Sequence, residues 1–147
     1  MHLQWTPPAP GWVCLNSDAS LSPTSGIGMV ELWSMLVGLQ VARSFGVDRL
    51  IVQSDSSHAI KLLIDPSQQG YRMPLVRAIE SLCHGGCQVE FRWIPRELNM
   101  VADCLSKLPC SSQFSLIVTI DIPEPTRPLV ARDRDGPPYS RHSRGVT

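Results

Sequence analysis

The chain has 147 residues, 43% of them hydrophobic, and a formal net charge of +0 at pH 7. That is about one domain's length, with enough apolar residues for a core. A pI near 6.9 gives no global field to draw nucleic acid or a membrane, so any such partner must be read from local groups. No apolar run approaches the ~18 residues of a membrane span. Met1 to Pro8 lacks the basic and apolar regions of a signal peptide, so an intracellular chain with reduced thiols is expected.

Residues 1–10 read as an extended, proline-rich lead. Trp12 to Asn16 alternates as a short strand that ends at Ser17-Asp18. Ser20 to Gly28 is a loop by composition. Glu31 opens a helix to about Ser44. Its apolar residues, Leu32, Trp33, Met35 and Leu36 among them, fill more than one face, so the helix is expected to be largely buried. Gly46 closes it.

Leu50-Ile51-Val52 suits a central strand buried on both faces, and it runs into Gln53-Ser54-Asp55-Ser56-Ser57. A helix from Ser57 to Ile64 follows, capped by Ser56 or Ser57. Asp55 stands where open α/β sheets place ligand chemistry, at the carboxyl end of a strand. The plainer alternative makes Asp55 itself the helix cap.

Asp65 to Gly70 is a loop containing Pro66, and Pro74 is placed to start a third helix through about Cys83. After the Gly85-Gly86 turn, Gln88 to Ile94 alternates, with Val89, Phe91 and Trp93 facing one way and Glu90 and Arg92 the other. Pro95 ends that strand. Asn99 caps a helix from Met100 to about Lys107, with Asp103 in its first turn, where a carboxylate also gains from the helix dipole alone.

The five cysteines are an odd number without framework spacing. Cys83, His84 and Cys87 have the types and closeness of zinc ligands, and Cys104 or Cys110 could complete a set. The plain turn at Gly85-Gly86 is the preferred reading of that stretch. Phe114 to Ile122 is either one more strand or an aggregation-prone segment. Residues 123–147, with five arginines and three acidic residues, read as a disordered, slightly basic tail. Such a tail is either plain solvated chain or a source of loose phosphate contacts.

The order is thus β, loop, α, β, α, α, β, α, then a tail, which is an α/β chain. Asp18, Glu31, Asp55 and Asp103 all stand at element ends. If the first two strands lie parallel and adjacent, the four acids gather at one rim. Clustered carboxylates repel and usually hold hard cations, for which oxygen ligands suit Mg²⁺, with Mn²⁺ as substitute. Two such ions about 3.5–4 Å apart can activate water and stabilise a leaving oxygen in phosphodiester cleavage.

Four segments resemble the type 1 ribonuclease H domain, most closely its plant, retroelement-related branch. They are Asn16-Ser17-Asp18-Ala19-Ser20, Glu31-Leu32-Trp33, Gln53-Ser54-Asp55-Ser56 and Trp93 to Lys107. The resemblance covers roughly Trp5 to Pro109. Its most specific part is Asn99 followed four residues later by Asp103, then Leu105 and Lys107, after a Trp-aliphatic-Pro strand end. It implies that Asp18 and Asp55 bridge two Mg²⁺ ions while Glu31 and Asp103 complete one site each. It also implies cleavage of the RNA strand of an RNA–DNA hybrid, leaving a 3′-hydroxyl and a 5′-phosphate.

Arg92, Arg96, Asn99 and Lys107 are the candidate nucleic-acid contacts, with Arg72 and Arg77 further off. Scattered arginines of this kind are otherwise ordinary surface. The chain is expected to act as a monomer.

The chain departs from the family pattern between Asp18 and Glu31, where only twelve residues intervene and the family inserts two further strands. The expectation is a ribonuclease H-like α/β fold over residues 11–109 with a truncated mixed sheet, flanked by the lead 1–10 and the tail 110–147. Its first strand becomes an edge, and apolar surface on the first helix and strand loses its cover. At about 3.3 Å per residue, twelve residues still reach across such a domain. Ala19 stands where the family commonly has Gly, and Glu97 stands about where many active relatives carry a His. An inactive nucleic-acid-binding remnant is the alternative function.

Overall fold

A computed structural model of the chain describes residues 2–19, 29–65, 73–108 and 119–140. Its main sheet has three strands, β2 (Val13–Ser17), β3 (Arg49–Ser54) and β4 (Gln88–Trp93), in the order β2-β3-β4. Both pairings are parallel. The shortened sheet is as expected, but what remains of it is parallel throughout. The short lead and tail strands β1 (His2–Leu3) and β5 (Tyr139–Ser140) form a separate antiparallel pair.

Parallel strands need crossovers, and helices supply them. Helix α1 (Met29–Ser44) links β2 to β3, and α2 (Ser57–Ile64) and α3 (Pro74–Cys83) link β3 to β4. Gly46, at φ 77°, closes the α1 end. α2 is capped by Ser56, whose Oγ accepts from the Ala59 amide at 3.2 Å. α3 starts at the N1 proline read from the sequence.

The core lies on one face of the sheet. Leu32, Met35 and Leu39 of α1, Leu50 and Val52 of β3, and Val76 and Ile79 of α3 are each 1% exposed or less. At about 25 cal/mol per Å² this interior supplies most of the folding drive. β2 is clamped under α1 at Gly38, where an added Cβ would lie 2.9 Å from a Leu15 methyl.

α1 is less covered than its composition implies. Trp33 is 58% exposed and Val13 on β2 is 46% exposed, because among the described residues no strand continues the sheet beyond β2.

The second half differs more. A 3-10 turn at Arg96–Leu98 leads into α4 (Met100–Ser106). Within the expected disordered tail the chain forms a 3-10 turn at Glu124–Thr126 and a helix, α5 (Arg127–Asp135). Thr126 is buried, with its hydroxyl donating to Pro123 O at 2.7 Å. Arg127 pairs with Glu124 at 3.1 Å, and Arg132 stacks 3.8 Å from the Tyr139 ring centroid. These local bonds, together with packing on α4, order a stretch whose composition alone reads as disordered.

The expected loops at Ser20–Gly28 and from Pro66 onward, Arg72, and most of the segment Phe114–Ile122 lie outside the described residues. Among the described residues no helix is long and apolar enough to cross a membrane.

Candidate active site

The strand register builds the site. Ser17 of β2 sits opposite Ser54 of β3, and Ser54 opposite Trp93 of β4. Each strand therefore ends at one rim, and Asp18 and Asp55 are the next residues after two adjacent ends. The main chain there is tied down. Ile94 N donates to Ser54 O at 2.9 Å, and Trp93 Nε1 donates to Asp55 O at 3.1 Å. Because Ser56 performs the capping, Asp55 is not needed as the cap of α2.

Helix α1 reaches the same rim through Ser34. Its hydroxyl donates to Asp18 O at 2.9 Å and lies 2.8 Å from Ser17 Oγ, so the Ser17 hydroxyl is left to donate to Ser34. Glu31 lies one turn nearer the start of α1 on the same side. Its Oε2 is buried without a hydrogen-bond partner. A buried unpaired carboxylate oxygen is costly and points to a cation that would satisfy it. Sequence reasoning missed Ser34, although a serine between Leu32-Trp33 and Met35-Leu36 is the polar exception in that turn.

Asn99 performs a different task from the two expected of it. It makes no side-chain cap bond for α4 and is 1% exposed, which also removes it from the surface where nucleic acid would be touched. Its Nδ2 instead donates to Ser17 O at 3.0 Å, tying the start of α4 to the end of β2. The Asp103 amide donates to Asn99 O at 3.0 Å, so Asp103 is held one helical turn from that tie.

The electrostatics show how closely the acids approach. Burial first, with the Asp55 and Asp103 carboxylates acting in the same direction, raises the Asp18 carboxyl from 3.8 to about 6. The Ala19 amide, donating to Oδ1 at 2.8 Å, opposes the rise. Asp103 has cations of its own, Lys107 at 3.0 Å and Arg96 at 3.9 Å. Lys107 and Arg96 thus stand at the rim, as expected. Arg92, one residue before the end of β4, is paired with Glu90 at 2.6 Å and lines a pocket with Cys14 and Gln53 rather than with the acids.

The donors at the rim are all oxygens and short of positive charge at Asp18 and Glu31, which fits a hard divalent ion in type and charge. Among the described residues, however, no three carboxylate, thiol or imidazole groups gather closely enough to hold a metal as they stand. That holds for the rim and for Cys83, His84 and Cys87. Burial, with Cys87 and Glu80 adding, pushes the Cys83 thiol up to about 11, which disfavours the thiolate that zinc needs. Gly85 and Gly86, at φ 95° and 86°, form the plain turn.

The family model described as reverse transcriptase-like matches residues 9–108, a span that contains all four acids, every strand of the main sheet and α1 to α4. No curated protein matches the chain.

Proposed function

We propose, from the premise that the chain belongs to the reverse transcriptase-like family and carries its ribonuclease H-like domain, that it is a metal-dependent nuclease acting on the RNA strand of RNA–DNA hybrids. The observation that carries the proposal is the convergence on Asp18. Asp55 and Asp103, from a different strand and a helix some eighty residues away in sequence, both raise its carboxyl, while Ser34 brings the first turn of α1, with Glu31, to the same strand end.

In this reading Asp18 and Asp55 hold the ions jointly, and Glu31 and Asp103 each complete one site. Mg²⁺ would supply a lowered pKa for the attacking water and charge stabilisation at the leaving oxygen. The protein's own part is positional. Ser34 and Asn99 fix the Asp18 segment from two sides, and Trp93 fixes the Asp55 main chain. Arg96 and Lys107, both exposed, stand ready to meet a phosphate backbone. A bound cation would compete with them for Asp103, releasing them toward the nucleic acid.

A second reading, an inactive nucleic-acid-binding remnant, is favoured by one observation: the acids do not close into a group of three ligands. Incubating an end-labelled RNA–DNA hybrid with the native chain and with Asp55→Asn, in Mg²⁺ and in Mn²⁺, separates the two. Cleavage of the RNA strand by the native chain alone is expected. Hybrid binding without cleavage by a folded native chain would establish the remnant.

A further inference from the structure

Three aromatic side chains stand exposed among the described residues, Trp33, Phe45 and Trp93. Of these, Trp93 is the one pinned by a hydrogen bond, its Nε1 donating to Asp55 O at 3.1 Å. In register Trp93 sits opposite Ser54, so the indole leans one residue past its partner, toward the rim where the acids stand. It is 48% exposed.

An apolar ring left half open to water gains from being covered. Because the bond already fixes its orientation, it loses little freedom on receiving a flat partner. The neighbouring groups select that partner. Arg96, whose side chain is 69% exposed, follows three residues later and reaches one oxygen of Asp103 at 3.9 Å. Lys107 reaches the other oxygen at 3.0 Å. An aromatic face and two exposed cations at one rim match a nucleotide, whose base stacks while its phosphate meets positive charge.

We propose that Trp93 is a stacking platform for one unpaired base of the RNA strand, beside the phosphate that is cut. This rests on the nuclease reading above and narrows its substrate to hybrid that borders single-stranded RNA. A base paired inside a duplex shows a protein its edge and not its face. Only a nucleotide at the end of the hybrid, or splayed out from it, can therefore lie on the ring. In that reading Asp55 holds the ion, and Trp93 is bonded to the Asp55 main chain. The stacked base and the phosphate at the ion thus belong to the same or neighbouring nucleotides. Trp33, exposed on α1 without such a bond, has no part in this.

Fluorescence anisotropy tests the proposal, with the full chain titrated into a labelled hybrid whose RNA strand runs on single-stranded, in Ca²⁺ as the oxygen-seeking ion. The same hybrid with abasic sugars in its overhang is the comparison. The native chain should bind the overhang that carries bases roughly tenfold more tightly. Trp93→Leu should remove that difference, whereas Trp93→Phe, which keeps a ring without the N–H, and Trp33→Leu should retain most of it. Because the ratio is taken within each variant, a displaced Asp55 affects both substrates alike. A Trp93→Leu chain that keeps the tenfold preference overturns the proposal. So does a native chain that binds both hybrids equally, a result that leaves the nuclease reading in place. A native chain that binds neither hybrid overturns both.

Discussion

Replacing Asp18 by Asn should make the protein more stable at neutral pH, and the gain should vanish in acid. The folded-state carboxyl lies at about 6 against an ordinary 3.8, so the folded chain holds this proton more tightly than the unfolded one. Stability from that proton is fully present below about pH 4 and is lost as pH rises through about 6. A displacement of this size corresponds to about 3 kcal/mol for a dry group. Asp18 is only half-buried, and solvent screening reduces the figure to roughly 1 kcal/mol.

An Asn side chain keeps an oxygen to accept from the Ala19 amide and carries no charge to set against Asp55 and Asp103. Urea denaturation of both proteins at pH 4, 5, 6 and 7, without divalent ions, reads the effect. The Asn variant should gain about 1 kcal/mol on the native chain between pH 4 and 7, or roughly 3–5 °C in Tm. A difference that stays flat across that range, or that falls, would refute the idea that the rim acids crowd one another.

Asn99→Ala should cost roughly 2–3 kcal/mol, since it strands Ser17 O inside the protein and empties a buried site; thermal denaturation checks this, and a loss under about 0.5 kcal/mol would mean the tie is not needed. Gly38→Val should cost about 1–3 kcal/mol by driving a side chain into Leu15 where α1 crosses β2, read as a lower urea midpoint at unchanged slope. Lys107→Met, by contrast, should change stability by less than about 1 kcal/mol, because its pair with Asp103 is exposed, and a double-mutant cycle with Asp103→Asn would measure the coupling directly.

The half of the chain with strong periodicity was legible in its residues. Leu50 to Val52 is a run of three large apolar residues, two of them β-branched, with no polar interruption, and it became the central strand. Pro74 marked a helix start because its missing amide donor costs nothing there. The positions of Asp18, Asp55 and Asp103 at element ends follow from those elements.

What could not be read was mostly tertiary. Nothing local distinguishes an Asn that caps its own helix from one that reaches back 82 residues to Ser17 O. Ser34 looked like an interruption in an apolar helix until the strand end stood beside it. α5 was missed because its order comes from contacts with Glu124, Tyr139 and α4 rather than from an apolar stripe. Trp33, 58% exposed, follows the loss of cover that the short Asp18–Glu31 stretch implied rather than the buried helix that composition alone suggested.

The account's central claim is that the rim acids bind a divalent ion, and proton-linked calorimetry tests it most directly. Mg²⁺ would be titrated into the native chain and into Asp18→Asn at pH 6, in two buffers of different ionisation heat. At that pH the Asp18 carboxyl is about half protonated, so ion binding to the native chain should release about half a proton per site. The Asn variant should bind more weakly and release almost none. Native chain that binds no Mg²⁺, or that binds it without proton release and no better than the variant, would contradict the account.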